Sequence, residues 1–327
     1  MKKISFFLLI KVSFFLIIFS TSGYSFKLNN LANRSIGLKQ AQKIFKKNKL
    51  VTVALIDTGV DATHPFLKRN IVKLKNGESV DSYGLDLSSN SLNDPSDNNG
   101  HGTHVTGIIK SIFPEVKIIS LKYYNPNSKG KENLHATIKA FDYAIKHKVD
   151  IINYSGGGRT PYLKELEVLQ KAADENILVV TAAGNNSLNL DLIKNNYFPA
   201  SYQLKNIISV SAHDNNSKLL HSSNFGKKTV HLLAPGHRIK GPLPKNRFGT
   251  MTGTSQATAF VTGVAALLKS QFPNLTPLQI RDILIQSSQR INSFEGNSSI
   301  GGKLDAYSAL TLAKKLEKKN KYLAKIR

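Results

Sequence analysis

Four short stretches of the sequence each carry a polar residue whose chemistry suits acyl transfer. They are a carboxylate in VALIDTG, a histidine in GHGTH, an amide in AAGNN and a hydroxyl in GTSQATAF, at Asp57, His101, Asn185 and Ser255. A serine hydroxyl attacks a carbonyl carbon when a base removes its proton, and the resulting oxyanion needs a hydrogen-bond donor. Singly, the aspartate and asparagine also suit turns and the serine suits a helix cap, so only the combination predicts a nucleophilic site.

A second histidine, His104, lies one helical turn beyond His101. The H-x-x-H pair is therefore also compatible with a metal site. The chain has no cysteine, however, and no obvious third ligand accompanies the two histidines. No metal is predicted at this pair.

Apolar runs rich in β-branched residues alternate along the chain with segments of helical periodicity. Such a pattern is typical of a mostly parallel sheet with helices on both faces, so the sequence predicts a doubly wound α/β fold and a single catalytic domain. Ligands bind these sheets at the carboxyl ends of the strands, where Asp57 and Asn185 are predicted to lie. The predicted strands are 51–57, 116–122, 149–153, 177–182, 207–212 and 229–234, and the predicted helices are 101–112, 132–147, 162–176, 255–270 and 277–287.

The composition restricts the partners of the chain, which has 327 residues, a formal net charge of +24 and no cysteine. Without cysteine it forms neither disulfides nor thiolate metal sites. A protein this basic is attracted to anionic surfaces. Its lysines are nevertheless spread along the sequence and show no aromatic-interleaved basic motif, so no nucleic-acid partner is predicted.

The first residues have the features of an export signal. Lys2 and Lys3 precede a strongly apolar stretch that ends in small residues, which predicts a signal peptide over residues 1–25. An uncleaved membrane anchor is the alternative, although the apolar run after Lys11 is short for a bilayer. The mature protein is therefore predicted to be secreted or periplasmic, with no membrane contact after cleavage.

Taken together, the motifs resemble those of the subtilisin-like serine proteases, the subtilases. The resemblance extends from about Val51 to about Leu310 and rests on VALIDTGVDATHP, NNGHGTHVTG, INYSGGG, VVTAAGNN, LLAPG and GTSQATAFVTGVAALL. The Asp…His…Ser order of the three triad blocks is the subtilisin order.

This resemblance implies a subtilisin-like fold and a role for each candidate residue. His101 is the expected general base for Ser255, with Asp57 holding the imidazole in place. The side-chain amide of Asn185 and the backbone N–H of Ser255 are the expected oxyanion donors. By the same resemblance, His104 is structural.

The resemblance also implies a substrate site. Ser155, Gly156 and Gly157 match the segment that pairs with an extended substrate, and residues 187–200 are expected to contain the floor of a side-chain pocket. The sequence NNYF at 195–198 is bulkier than the small residues of many relatives. It predicts a partly filled pocket that favours small or medium side chains.

Three features depart from the family pattern. Gln256 and Ala259 stand where many relatives have Met and Pro, and loss of the proline predicts a looser start of the helix. The segment from His101 to Lys122 is too short for the calcium-binding loop of secreted bacterial relatives. No cofactor is predicted, and the oxygen-rich loop 86–99 is a candidate calcium site with simple Asx turns as the favoured alternative.

The third departure concerns the region before the catalytic domain. Residues 26–50 are too few for a folded propeptide and resemble an N-terminal extension with the lead-in helix of the family. The predicted peptidase domain is 51–310, followed by a basic C-terminal tail at 311–327.

The predicted function is an exported serine endopeptidase that acts as a monomer on protein or peptide substrates through an acyl-enzyme intermediate. Two alternatives are a catalytically silent subtilase fold that binds peptides, and a processing peptidase or peptide ligase. The intact set of four candidate residues favours the endopeptidase, since a binding module has no chemical need for all of them.

Overall fold

The computed structural model describes residues 29–76, 79–89 and 95–325. The predicted signal peptide therefore lies outside the described residues. The helices are α1 (Asn30–Ser35), α2 (Leu38–Ile44), α3 (His101–Ile112), α4 (Gly130–Lys146), α5 (Leu163–Asp174), α6 (Thr254–Gln271), α7 (Pro277–Gln286) and α8 (Ala306–Lys325). Within the described ranges, no helix is both long enough and apolar enough to cross a bilayer.

A nine-stranded sheet forms the centre of the fold, in the order β12-β13-β9-β8-β7-β6-β1-β5-β4. All of its pairings are parallel except that between β12 and β13. The strands of this sheet are β1 (Thr52–Asp57), β4 (Leu85–Asp86), β5 (Lys117–Lys122), β6 (Ile151–Tyr154), β7 (Leu178–Ala182), β8 (Ile207–His213), β9 (Leu232–Pro235), β12 (Gln289–Arg290) and β13 (Gly302–Lys303). Two hairpins are formed by β2 (Leu74–Asn76) with β3 (Ser79–Ser82), and by β10 (Ile239–Leu243) with β11 (Arg247–Met251).

Helices cover both faces of the sheet, as predicted. Successive residues of β1 point to opposite faces because side chains alternate along a strand. Val53 and Leu55 belong to a core with α3, α6, α7 and α8, whereas Ala54 and Ile56 belong to a second core with α4 and α5. The predicted doubly wound α/β fold is therefore confirmed.

The predicted elements agree with the observed ones to within three residues at each end, and the structure adds a hairpin that has no apolar period of its own. The first strand of the β10–β11 hairpin contains a glycine and a proline, and most residues of the second strand are exposed to solvent. Helix α8 runs across residue 310, and its first turns bury Ala306, Ala309 and Leu310 in the larger core.

Helix α6 is buried on almost its whole circumference, which explains why its sequence is rich in small residues. It packs against α3, and a Cβ added at Gly263 would lie 2.8 Å from Ile112 Cβ. Ala257 and Ala259 are fully buried in the same helix. A helix surrounded by other elements needs small residues where its neighbours approach closely.

Glycine also permits the contact between α3 and the β10–β11 hairpin. A Cβ at Gly107 would lie 2.0 Å from Pro242 Cδ, and the proline ring cannot rotate away. We expect Gly107→Ala to lower the free energy of unfolding by about 2 kcal/mol, because overpacking outweighs the gain of about 1 kcal/mol in helix propensity. Urea denaturation measures the change. Gly130→Ala is the matched control, since a Cβ there meets nothing within 4 Å, and equal effects of the two substitutions would contradict the expectation.

Candidate active site

The carboxylate of Asp57 and the imidazole of His101 meet at the carboxyl edge of the sheet. Asp57 is the last residue of β1 and His101 is the first of α3, and Asp57 Oδ1 lies 2.7 Å from His101 Nδ1. The N–H of Thr58 donates to the same carboxylate oxygen at 2.8 Å. Because Nδ1 carries the proton in this hydrogen bond, Nε2 of His101 is left as an acceptor.

Opposing effects act on the pKa of His101. Burial lowers the pKa. The charge and hydrogen bond of Asp57, together with the charge of Asp97, raise it by more than burial lowers it, so the pKa of His101 lies above its ordinary value. Asp57 is 3% exposed and the His101 side chain 27% exposed. The carboxylate therefore stabilises a positive charge on an imidazole that still reaches solvent.

Asp97 organises the start of α3, although the sequence pointed to it only as part of the possible calcium loop. Its Oδ1 accepts from Thr58 Oγ1 at 2.9 Å and from the N–H of Gly100 at 2.7 Å. Its Oδ2 accepts from both the N–H and the hydroxyl of Thr103, at 2.9 and 2.6 Å. These bonds satisfy N–H groups that have no partner inside the helix. An aspartate just before a predicted helix start is the signal that could have identified it.

His104 is a buried structural residue. Its Nε2 lies 2.9 Å from the carbonyl oxygen of Ile239, which ties α3 to the β10–β11 hairpin. Burial lowers the pKa of His104 to about 4, so its ring is neutral. The residue thus has the role that the family resemblance implied.

Ser255 lies at the start of α6 beside the segment that follows β6. Its hydroxyl donates to the carbonyl oxygen of Ser155 at 3.3 Å, and the Ser155 hydroxyl donates to the carbonyl oxygen of Ser255 at 3.4 Å. In the described part of the chain, His101 and Ser255 share no hydrogen bond. Catalytic hydrogen bonds are often loose without substrate, and the hydroxyl can rotate about its Cα–Cβ bond.

Asn185 follows β7 and is held beside Ser255 by its oxygen. The N–H of Thr254 donates to Asn185 Oδ1 at 2.9 Å. A Cβ at Gly253 would lie 3.2 Å from both polar atoms of the amide, so glycine permits this close approach. Since the oxygen is used, the NH₂ group is the part of the exposed Asn185 side chain that remains to donate.

The segment 155–158 is an open edge. Gly156 and Gly157 make no main-chain hydrogen bond to any residue that the structure describes, whereas Gly158 pairs with Phe198 in both directions at 3.0 and 2.7 Å. The ring of Tyr197 lies next to Gly157, where a Cβ would be 2.5 Å from its Cε1, and next to Gly184, where the distance would be 3.1 Å. An aromatic ring therefore occupies the space between these two segments.

Comparison with known proteins identifies the family. The subtilase family model matches residues 48–309. The chain belongs to the subtilase family. It is 34% identical over 233 residues to the major intracellular serine protease of Bacillus subtilis (strain 168), covering 68% of this chain and 70% of that protein. It is 31% identical over 254 residues to subtilisin DY of Bacillus licheniformis, covering 75% of this chain and 86% of that protein.

A solved structure gives the same result for the fold of this subtilase. The chain superposes with a TM-score of 0.75 and 25% identity on a structure described as the structural basis of subtilase cytotoxin SubAB assembly, covering 87% of this chain and 96% of that one. The protein is a serine-type endopeptidase with a subtilisin-like fold, as the sequence predicted.

The two departures next to Ser255 leave the helix of this subtilase regular. Helix α6 is unbroken over Thr254–Gln271, and both Gln256 and Ala259 are buried in it. The expected looser helix start is therefore not seen in the structure, and the effect of the two residues on catalytic efficiency stays a prediction.

The oxygen atoms of the possible calcium loop are largely used by other donors. Asp86 accepts from Ser88 through Oδ1, at 2.9 Å from the N–H and 2.6 Å from the hydroxyl, and its Oδ2 lies 3.1 Å from Lys122 Nζ. Residues 90–94 lie outside the described residues. Elsewhere in the described chain, no group of three or more histidine or acidic side chains is placed to hold a metal ion. Calcium binding in this loop stays a prediction.

Asp97 is expected to be essential for the start of α3 in this subtilase. In Asp97→Asn, an NH₂ group would replace one acceptor and face an N–H or O–H donor, so we expect the free energy of unfolding to fall by about 2–3 kcal/mol. Peptidase activity should fall as well, because α3 begins with His101. Thermal unfolding and a peptide assay measure both effects. Asp174→Asn, at an exposed helical position, is the control, and an Asp97→Asn protein as stable as this control would contradict the expectation.

Proposed function

We propose that this subtilase cleaves peptide bonds with Ser255 as nucleophile, His101 as general base and Asp57 as the group that orients the base. The observation that carries this proposal is the 2.7 Å hydrogen bond between Asp57 and His101, at the strand edge where Ser255 also lies. His101 Nε2 takes the hydroxyl proton as Ser255 Oγ attacks the scissile carbonyl carbon, and Asp57 stabilises the imidazolium. The histidine then returns the proton to the leaving amine.

The next steps use the N-terminus of α6. Attack on the carbonyl produces an oxyanion, which accepts hydrogen bonds from the NH₂ group of Asn185 and the backbone N–H of Ser255. The positive end of the helix macrodipole also favours this charge. Collapse of the intermediate gives an acyl-enzyme, and water activated by His101 hydrolyses it.

The substrate is proposed to bind as an extended strand along Ser155, Gly156 and Gly157. Support comes from the unpaired main-chain groups of the two exposed or half-exposed glycines, next to Ser255. Main-chain pairing binds many sequences, and side-chain pockets add selectivity. The pocket for the side chain at the cleaved bond is proposed to lie between Gly157 and Gly184, where the ring of Tyr197 narrows it. A narrowed pocket favours small or medium side chains.

The mature enzyme is proposed to be exported and to act as a monomer on protein or peptide substrates. The charged, apolar and small-residue regions of residues 1–25 support export. Sequencing the N-terminus of the mature protein tests this part, since a start near residue 26 is expected and an intact Met1 would contradict it.

A fluorophosphonate probe tests the assignment of the nucleophile. Such a probe labels a serine only when a base activates it. We expect labelling of the wild-type protein and loss of labelling in Ser255→Ala and His101→Ala. Ser308→Ala, a half-exposed serine far along the chain, is the control and should label normally. Labelling that persists in Ser255→Ala would show that the nucleophile is another residue.

Replacement of Asn185 tests the oxyanion site. Removing one such donor costs roughly 10²–10³ in kcat in serine proteases, so Asn185→Ala is expected to lose that much with little change in KM. Steady-state kinetics with a peptide substrate measure the loss. Asn215→Ala changes an exposed asparagine in the turn after β8 and is the control. Full activity of Asn185→Ala would show that the oxyanion is bound elsewhere.

Replacement of Tyr197 tests the narrowed pocket. Tyr197→Ala removes the ring that lies against Gly157 and Gly184. We therefore expect kcat/KM for a peptide with Phe at the cleaved bond to rise by about tenfold relative to one with Ala. The reason is that each methylene group buried in an apolar pocket contributes about 1–3 kcal/mol. A wild-type enzyme that already prefers Phe or Tyr would overturn this assignment.

A further inference from the structure

A second cavity adjoins the proposed substrate segment. It has a volume of about 640 Å³ and contacts Gly157 and Gly158 on one side and α4 and α5 on the others. Tyrosine side chains form much of its wall, and Glu165 lies in its lining as the only carboxylate among the lining residues. The tyrosines are Tyr123, Tyr124, Tyr154 and Tyr162.

Glu165 is unusual because its carboxylate belongs to a residue that is only 2% exposed. Its Oε2 accepts a hydrogen bond from the Tyr202 hydroxyl at 3.0 Å. No basic side chain of the described residues forms an ion pair with it. Buried carboxylates are rare unless they are paired, so this one is an acceptor that still lacks a cation.

The surroundings of Glu165 favour its charged form once a cation is present. Burial raises its pKa to about 7 despite the bond from Tyr202, so the side chain is poised to ionise near neutral pH. Glu165 lies in the first turn of α5, where the helix macrodipole stabilises a negative charge. The faces of the tyrosine rings also attract cations.

The basic residues at the cavity do not neutralise Glu165. Arg159 donates from Nη2 to the carbonyl oxygen of Lys194 at 2.7 Å, which fixes its guanidinium on that loop. Lys131 is exposed in the first turn of α4. Both residues line the cavity without forming an ion pair with Glu165, so no basic side chain of the described residues neutralises the carboxylate.

We propose that this cavity receives a basic side chain of the substrate, lysine or arginine, and that Glu165 is the residue that selects it. The inference rests on the proposed function, because it takes 155–157 as the segment that pairs with the substrate. Gly157 and Gly158 follow Ser155 by two and three residues, or roughly 7–10 Å of extended chain. The selected residue therefore lies several positions from the cleaved bond, on one side of it.

A positional scan with the full-length protein tests the proposal. A set of internally quenched peptides carries lysine, norleucine or glutamate at one position at a time within an otherwise alanine-rich sequence. Norleucine matches the length of lysine without its charge. We expect one position several residues from the cleaved bond where lysine exceeds norleucine in kcat/KM by about tenfold, in the range of close charge pairs.

Two variants assign this preference to Glu165. Glu165→Gln keeps the shape and the acceptor for Tyr202 and should reduce the lysine-to-norleucine ratio in kcat/KM to about 1. Glu167→Gln, an exposed residue of the same helix, is the matched control and should keep the wild-type ratio. A purely structural role would lower cleavage of all peptides equally.

Three results would overturn the inference. They are a wild-type enzyme with no lysine preference at any position, a ratio unchanged in Glu165→Gln, and a preference for glutamate, which would assign the cavity to Lys131 and Arg159. The wild-type scan decides even if Glu165→Gln does not fold. Probe labelling of Ser255 and cleavage of the norleucine peptides are read separately, so failure of the proposed function is distinguishable from failure of this inference.

Discussion

The close approach of α3 to the end of β1 is the contact on which the active site depends. A Cβ at Gly102 would lie 2.1 Å from the carbonyl oxygen of Gly59, and one at Gly59 would lie 2.4 Å from the carbonyl oxygen of Pro95. Gly59 also has a φ of +104°, which side chains rarely adopt. Only glycine at these positions lets the helix begin against the strand, and that closeness produces the 2.7 Å bond between Asp57 and His101.

A similar constraint acts at the start of α6. Gly253 has a φ of +153° and lies against Asn185, so the chain turns into the helix directly beside the amide. The Thr254 N–H is one of the first N–H groups of the helix, and Asn185 satisfies it. The same hydrogen bond that completes the helix terminus therefore fixes the amide oxygen and leaves the NH₂ group of Asn185 as its donor.

The two carboxylates next to the substrate segment contrast in their partners. Asp57 has an imidazole whose pKa it raises, so that pair is electrically complete within the protein. Glu165 has only the hydroxyl of Tyr202, and its own pKa is raised by burial. In a low-dielectric environment, an unmatched charge is costly, and a matching ligand recovers that cost. The first carboxylate thus suits chemistry and the second suits recognition.

Sequence alone determined the fold class and the family, and it singled out Asp57, His101, Asn185 and Ser255 as the candidate residues. Continuous apolar strands and amphipathic helices are local patterns, and each of the four residues lies within a short motif of its own. The doubly wound sheet then requires the strand ends to meet at one edge.

The tertiary structure alone decided which other side chains surround these four. Asp97 appeared from sequence to be a possible calcium ligand, but its oxygens bind the start of α3. Sequence placed Tyr197 only among the bulky residues expected near the pocket floor, and the fold decided that its ring lies between Gly157 and Gly184. The burial of Glu165 depends on contacts with Tyr202 and the cavity wall. Such contacts join residues far apart in sequence, and no local period or motif encodes them, because the packing of separate segments creates them.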